Sequence, residues 1–196
     1  MKVVAPIISC ALCALLVPSV SQAANPEFQI SPHVGFGSLD VDQFAGVNDE
    51  LVDTKTVGLG VGFAYLSSPG IVLEVGVEDF GNLHLFNLED RFSLDERYVA
   101  VGYQAELGRG WRLIPRVGYS SWKLRSEESP LFNPGPEEVR EVSGDDVFWG
   151  LSLSRRVSRL VTLGLNYRQG HYDFGQTRST TFHITFTFGG RAGQSN

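Results

Sequence analysis

Cysteine is almost missing from this sequence, which has only Cys10 and Cys13 among its 196 residues. Both lie near the start of the chain, so the remainder can have neither a disulfide framework nor a thiolate metal site. Long hydrophobic runs are also missing, because no apolar stretch reaches the roughly 20 residues that a membrane-spanning helix needs. There is no polybasic run, and the formal net charge is −6, which argues against a nucleic acid as the partner.

The first 23 residues have the layout of a secretory signal peptide. Lys2 precedes an apolar run from Val3 to Val17, and Ser21-Gln22-Ala23 is a small-x-small site before Ala24. We therefore expect residues 1–23 to be cleaved from a secreted precursor. Cys10 weakly suggests a lipoprotein signal, but the apolar run continues past it, which favours a mature protein without a lipid anchor.

Alternation of apolar and polar residues dominates the rest of the chain. The segment "VGLGVGFAY" places Val57, Leu59 and Val61 on one face and glycines on the other, which is a period of two and predicts a strand. Eight such runs occur, at residues 28–38, 57–65, 71–80, 96–106, 111–120, 147–155, 161–169 and 179–188. No segment predicts a helix. A secreted chain of this kind is either soluble or spans a membrane as a closed barrel.

The lengths of the connections favour the membrane barrel. Short turns are predicted at residues 67–70, 107–110 and 156–160, and longer polar loops at 39–54, 81–95 and 123–146, with a short connection at 170–177. Short turns at one end and longer loops at the other are typical of bacterial outer-membrane barrels. The predicted fold class is therefore all-β: an eight-stranded antiparallel transmembrane β-barrel with short periplasmic turns and longer extracellular loops. The alternative is a soluble lipocalin-like barrel or a sandwich.

The composition of the two faces separates these alternatives. The polar face is rich in glycine, serine and threonine, and is too small and polar to fill a soluble core. Aromatic residues lie at both ends of the apolar face. Near the short turns they are Tyr65, Tyr103 and Trp111, and toward the longer loops they are Phe36, Tyr119, Trp149 and Tyr167. Two aromatic levels around an aliphatic band match the girdles of a membrane barrel.

The last predicted strand, "TFHITFTF", carries a resemblance to a known family. Phe182, Ile184, Phe186 and Phe188 resemble the alternating aromatic signal at the end of OmpA/OmpX-type eight-stranded outer-membrane barrels, the porin-family outer membrane protein β-barrel domain. The resemblance covers nearly all of residues 24–188, the predicted barrel, and implies the barrel-assembly machinery as a partner during insertion. In that family the final Phe is often the last residue. Here "GGRAGQSN" follows it, which predicts a short periplasmic tail over residues 189–196.

Charged residues on the inward face are the main candidate site. The predicted network comprises Glu74, Glu78, Glu106, Arg112, Arg116 and Arg168. Because the interior of an eight-stranded barrel is only wide enough for side chains and isolated buried charges are costly, these groups should pair across the lumen. Such pairs predict a structural plug, and the alternative is a narrow, gated channel for ions or small solutes.

Metal binding and catalysis have weaker support. His33 and His183 fall on the inward face of the first and last strands, where we expect a hydrogen-bonded interior pair; two histidines without a third ligand do not indicate a metal site. No cofactor and no catalytic residue is expected. A PagL-type lipid A deacylase would need a His-x-Ser pair followed by an acid, whereas this chain has "HYD" at residues 171–173 and "HIT" at 183–185. Such an enzyme remains the least favoured alternative.

The predicted loops are acidic and indicate the partners. Carboxylates exposed outside the cell could share divalent cations with lipopolysaccharide or meet a basic partner surface. Within the loop at 123–146, Leu131 and Phe132 form an apolar tip between prolines, which is the candidate for recognition. The predicted function is a structural or surface-interaction role in the outer membrane of a Gram-negative cell, with outer-membrane lipid and lipopolysaccharide as partners.

Overall fold

The computed structural model describes residues 26–41, 54–67, 70–81, 91–127, 139–172 and 175–189. The predicted signal peptide, the predicted tail beyond Gly189 and the apolar tip at Leu131 and Phe132 lie outside these residues. Within the described ranges, no helix is long and apolar enough to cross a membrane.

Antiparallel strands make up almost all of the described chain. They are β1 (Glu27–Val41), β2 (Thr54–Leu66), β3 (Ile71–Gly81), β4 (Arg91–Tyr103), β5 (Ala105–Gly108), β6 (Trp111–Glu127), β7 (Val139–Arg156), β8 (Val161–Tyr172) and β9 (Gly175–Gly189). Only Gln104 separates β4 from β5, and both pair with β6 in the same sense, so the two segments form one crossing of the barrel. Pairing of β1 with β9 closes the sheet into a barrel of eight crossings. The predicted all-β, eight-stranded antiparallel barrel is therefore confirmed.

The period of two separates the inside of the barrel from the outside. On β9, Phe182 and Phe186 are 43% and 40% exposed on the outer face, whereas Thr181 and Thr185 are buried in the lumen. The same division holds on β3, where Leu73 and Val75 face outward. The polar side chains thus line the interior and the apolar ones form the outer wall, as the sequence predicts.

Glycines on the inward face provide space for rings. Six of them pair directly across the sheet with an inward ring: Gly58 with Phe80, Gly76 with Tyr98, Gly118 with Phe148, Gly144 with Trp122, Gly60 with His33 and Gly164 with His183. A Cβ atom added to Gly76 would lie 2.5 Å from the hydroxyl oxygen of Tyr98. In a barrel this narrow, the glycine opposite each of these rings leaves the space that the ring occupies.

The strands are longer than predicted at the end of the barrel opposite the short turns, which we call the long-loop end. The predicted loop at 123–146 is wrong at both of its edges, because β6 continues to Glu127 and β7 begins at Val139. Here the polar residues point outward: Lys123 Nζ lies 2.6 Å from Glu141 Oε1, and Arg125 Nε lies 3.1 Å from Glu141 Oε2. The segment resembles a loop in the sequence because the alternation inverts here, so that charged residues face outward and apolar residues such as Leu124 face inward.

The lumen at the long-loop end is apolar, although the sequence predicts a polar interior. A buried apolar cluster fills it, which comprises Leu39, Phe80, Leu94, Trp122, Leu124 and Tyr172. The rings of Trp122 and Tyr172 lie 5.7 Å apart, and Trp122 Nε1 donates a hydrogen bond of 2.9 Å to Asp146 Oδ2. This end therefore packs like a small soluble core on top of a polar lumen.

Candidate functional site in the barrel lumen

The lumen contains two levels of buried charge. The first level is built by three adjacent inward positions on β3, β4 and β6. Arg116 Nη1 donates to both carboxylate oxygens of Glu74, at 2.9 Å and 2.6 Å. Tyr98 Oη donates a 2.7 Å hydrogen bond to Glu74 Oε1. Glu74 is therefore held by a guanidinium and a phenol in the middle of the barrel.

The second level is centred on Arg168 of β8 and lies nearer the long-loop end. Arg168 Nη1 donates to Glu78 Oε2 at 2.8 Å, and Arg168 Nη2 donates to Glu96 Oε1. Tyr172 Oη donates a 2.6 Å hydrogen bond to the same Glu96 oxygen. His33 Nε2 lies 3.0 Å from Glu78 Oε1.

Aromatic rings enclose the Arg168 guanidinium. Its Cζ atom lies 3.7 Å from the centre of the Phe148 ring and 4.9 Å from that of Tyr98. These contacts add cation–π attraction and exclude water from both ion pairs. The side chain of Arg168 is 3% exposed and that of Glu78 is 2% exposed, so the two charges are stabilised by each other rather than by solvent.

The two levels contain one more carboxylate than guanidinium groups. Three carboxylates, Glu74, Glu78 and Glu96, face two guanidiniums, Arg116 and Arg168. One excess negative charge in a buried site is costly, and His33 is in contact with Glu78. A proton on the His33 imidazole, or on one of the three carboxyls, would make the set electrically neutral.

The six charges predicted from the sequence form three separate pairs. Two of them, Glu74 with Arg116 and Glu78 with Arg168, cross the lumen as described above. In the third, Arg112 Nε lies 3.1 Å from Glu106 Oε1, but the Glu106 side chain is 59% exposed. This pair therefore lies at the rim beside the short turns rather than in the closed lumen.

Several members of the two levels are absent from the sequence prediction. Glu96 and Tyr98 share the inward parity of β4, so alternation could have placed them in the lumen. Tyr172 falls in a predicted loop. His33 and His183 are register partners, as expected, but the His33 ring contacts Glu78 and the carbonyl oxygen of Ser31.

Two small cavities flank the ion pairs. One of about 60 Å³ lies toward the short turns and is lined by polar groups that include Gln29, Ser31 and Asn166. The other, of about 20 Å³, lies beside Arg168 and is lined by Thr56, Ser179 and others. They have no described lining residue in common. The larger cavity can hold a few water molecules, and the charged levels separate it from the long-loop end.

The described residues offer little for metal binding. No group of three or more histidine, cysteine, aspartate or glutamate side chains suited to a metal ion occurs in the described ranges. On the strand that carries the predicted "HIT" motif, Thr185 Oγ1 and Ser31 Oγ are hydrogen bonded at 2.7 Å. That hydroxyl is thus engaged with a neighbouring strand.

Comparison with solved structures places the fold among outer-membrane barrels. Ail, the attachment invasion locus protein of Yersinia pestis, superposes with a TM-score of 0.60 at 12% identity, covering 83% of this chain and 98% of that one. Neisserial surface protein A gives 0.58 at 13% identity, covering 82% and 97%. The chain has the fold of an eight-stranded outer-membrane barrel.

A third solved structure agrees. The outer membrane protein OprG of Pseudomonas aeruginosa superposes with a TM-score of 0.54 at 11% identity, covering 86% of this chain and 98% of that one. No family model matches the sequence, and no curated protein matches it either. At these identities the likeness lies in the architecture, so function has to be argued from the residues of this chain.

Proposed function

We propose that the protein is an integral outer-membrane barrel with a closed lumen, which acts as a structural or surface-interaction protein. The observation that carries the proposal is the apolar belt on the outer wall, opposite a lumen of buried charge. The belt includes Leu59, Phe63, Leu73, Val75, Val99, Val117, Leu165 and Phe182, all exposed. In water, such a continuous exposed surface would be strongly unfavourable, whereas in a bilayer it is the favoured arrangement.

Aromatic pairs mark two levels on the outer wall. Phe28 and Tyr65, with ring centres 5.3 Å apart, lie near the short turns. Trp149 and Tyr167, with ring centres 5.5 Å apart, lie toward the long-loop end. Aromatic side chains at two heights are what a barrel presents to the two membrane interfaces.

The packing of the lumen supports a barrel that does not conduct. An ion would have to pass the Glu74–Arg116 level, the level around Arg168 and the apolar cluster around Leu124. Opening that path would break buried ion pairs, and each group left unpaired would be strongly destabilising. The channel is therefore the less favoured candidate.

The long-loop end supports a role in surface interaction. The extended β6–β7 hairpin carries Lys123, Arg125 and Glu141 on its outer face, beyond the apolar belt. Ail, which shares the fold, bears the name attachment invasion locus protein. We propose that this end meets lipopolysaccharide or another surface partner, in part through divalent cations. The outward face of β9 would serve the assembly machinery.

Cysteine labelling tests location and orientation together, because the described residues contain no cysteine. We expect Glu141→Cys to react with a membrane-impermeant maleimide on intact cells, and Arg159→Cys, on the turn after β7, to react only after the outer membrane is permeabilised. Unheated protein from the outer-membrane fraction should also migrate faster on a gel than boiled protein. Labelling of both positions on intact cells, or a soluble periplasmic protein without a gel shift, would contradict the proposal.

Two further measurements address the alternatives. In planar bilayers, the closed lumen predicts no steady conductance, and a conductance that changes in Glu74→Ala would favour the channel. Lipid A mass spectra from cells that overexpress the protein should be unchanged, and loss of an acyl chain would favour the deacylase.

A further inference from the structure

Arginine is concentrated at the short-turn end of the barrel. Four arginines lie on the turn after β5, at the end of β7 and on the turn after β7: Arg109, Arg155, Arg156 and Arg159. Within the described ranges, the carboxylates at this end are Glu27, which lies 3.6 Å from Arg156, and Glu106, which pairs with Arg112. The positive charge of Arg109, Arg155 and Arg159 is thus left facing outward.

The two turns hold these arginines in a defined arrangement. The backbone N–H of Arg156 donates to the carbonyl oxygen of Gly110 at 2.9 Å, which joins the turn after β5 to the end of β7. In the turn after β7, Ser158 Oγ accepts hydrogen bonds from the backbone N–H groups of Leu160 and Val161, at 3.3 Å and 3.1 Å. The charges are therefore presented by ordered turns that contact each other.

Exposed apolar side chains accompany the arginines. Leu107, near the end of β5, and Val157 and Leu160, on the turn after β7, are 58%, 64% and 62% exposed. Arg155 and Trp111 are paired across the sheet, and the Arg155 Cζ atom lies 5.7 Å from the centre of the Trp111 ring. We call the three outward arginines and these apolar side chains the turn patch.

The turn patch is continuous with the apolar belt. Leu153, two residues before Arg155 and on the same outward face of β7, is 40% exposed. Arg155, whose guanidinium lies over the Trp111 ring, comes one outward position after Leu153. This position is the level of the lipid headgroups. Guanidinium groups bind phosphate in a bidentate manner, and neighbouring apolar side chains can enter the region just below the phosphates.

We propose that the turn patch binds the headgroups of anionic phospholipids in the inner leaflet of the outer membrane. This inference rests on the proposed function, because it needs the barrel to be inserted with its short turns in the periplasm. A dissolved anion or a cell-wall glycan would use the arginines but would give Leu107 and Leu160 no apolar environment. A phospholipid satisfies both the charged and the apolar parts of the patch.

Native mass spectrometry of the full-length protein tests the proposal. The protein is released from detergent micelles containing equal amounts of phosphatidylglycerol and phosphatidylethanolamine with matched acyl chains. We expect phosphatidylglycerol to be retained preferentially. Arg109→Gln/Arg155→Gln/Arg159→Gln should reduce that preference by about tenfold or more, since each arginine near a lipid surface contributes roughly fivefold. Added salt should weaken the preference of the original protein.

The matched control removes the same charge away from the short turns, in Lys55→Gln/Arg97→Gln/Arg178→Gln, and should leave the preference unchanged. An unaltered preference in the turn-patch variant, or an equal loss in the control, would overturn the proposal. Binding to isolated cell-wall glycan that depends on the patch, without any lipid preference, would also overturn it. Failure of the underlying membrane proposal is recognised separately, because the original protein would then show no gel shift and no insertion into vesicles.

Discussion

At the scale of single residues, Arg168 is the group on which most buried charge depends. It contacts Glu78 and Glu96, and its guanidinium lies against the ring of Phe148. Both carboxylates point into a lumen without bulk water, and Arg168 is the guanidinium that they share. Arg112 makes a useful contrast, because its partner Glu106 is exposed at the rim.

Replacement of Arg168 should therefore be much more costly than replacement of Arg112. We expect Arg168→Met to lower the free energy of unfolding by about 3–5 kcal/mol, because two carboxylates are left buried without their cation. Arg112→Met should cost about 1 kcal/mol, since water replaces the lost partner of Glu106. Urea titration of the protein in lipid vesicles, followed by the gel shift, measures both. Equal costs would contradict this account of the lumen.

At the scale of elements, β6 shows how one strand serves two environments. At the level of the apolar belt, Val117 and Tyr119 face outward, and Arg116 faces the lumen. Toward the long-loop end the pattern inverts: Leu124 is fully buried inside, and Lys123 points outward. In the proposed membrane location, the hydrophobic effect acts on opposite faces of the same strand because the medium outside changes from lipid to water.

The cluster around Leu124 should behave as a soluble core. We expect Leu124→Ala to destabilise the barrel by about 2–5 kcal/mol, because the cavity it leaves is enclosed. Val142, its register partner on β7, is 42% exposed, and Val142→Ala should cost less than about 1 kcal/mol. Urea titration again provides the measurement. A larger loss of stability in Val142→Ala than in Leu124→Ala would show that the cluster around Leu124 is not a packed core.

The β6–β7 hairpin also makes a prediction about pH. The hydrogen bond from Lys123 is the main cause that holds the pKa of the Glu141 carboxyl below its usual range, with a further contribution from Arg125. A carboxyl with a lowered folded pKa stabilises the hairpin above its unfolded pKa, and this contribution is lost as pH falls through the folded value. NMR titration should show Glu141 ionised at mildly acidic pH. In Lys123→Gln its titration should move upward, and an unchanged midpoint would contradict the assignment.

At the scale of the whole molecule, closure depends on the seam between the first and last strands. Gly35 on β1 pairs with Thr181 on β9, and a Cβ atom added at Gly35 would overlap the carbonyl oxygen of Thr180. The obstacle is backbone, which cannot rotate away as a side chain could. This residue therefore sets how closely the two ends of the sheet can approach.

Substitution at the seam should impair closure of the whole barrel. We expect Gly35→Ala to destabilise the folded form by about 1–3 kcal/mol or more and to reduce the fast-migrating band in unheated samples. Gly62→Ala is the matched control, because the nearest atoms there are side-chain oxygens of Glu74 and Tyr98, at 3.1 Å and 3.2 Å. A normal gel shift in Gly35→Ala together with a lost one in Gly62→Ala would contradict this view of the seam.

Only part of the lumen could be predicted from the sequence. Alternation was sufficient to place Glu74 and Arg116 on the inward face, because side-chain direction in a strand follows parity. It could not tell that Arg168 and Tyr172 share Glu96, since these contacts join strands far apart in sequence. It also could not locate the ends of β6 and β7, where outward charges resemble a loop.

The sequence by itself determined the fold class of this protein, because the period of two, the spacing of turns and the composition of the two faces are local properties that decide which surface of the barrel is apolar. The tertiary structure decided what fills the lumen. Register across the barrel brings each ring over a glycine, each guanidinium to its carboxylates and the arginines of two turns onto one surface. Register depends on the closed sheet as a whole, so no single strand contains that information.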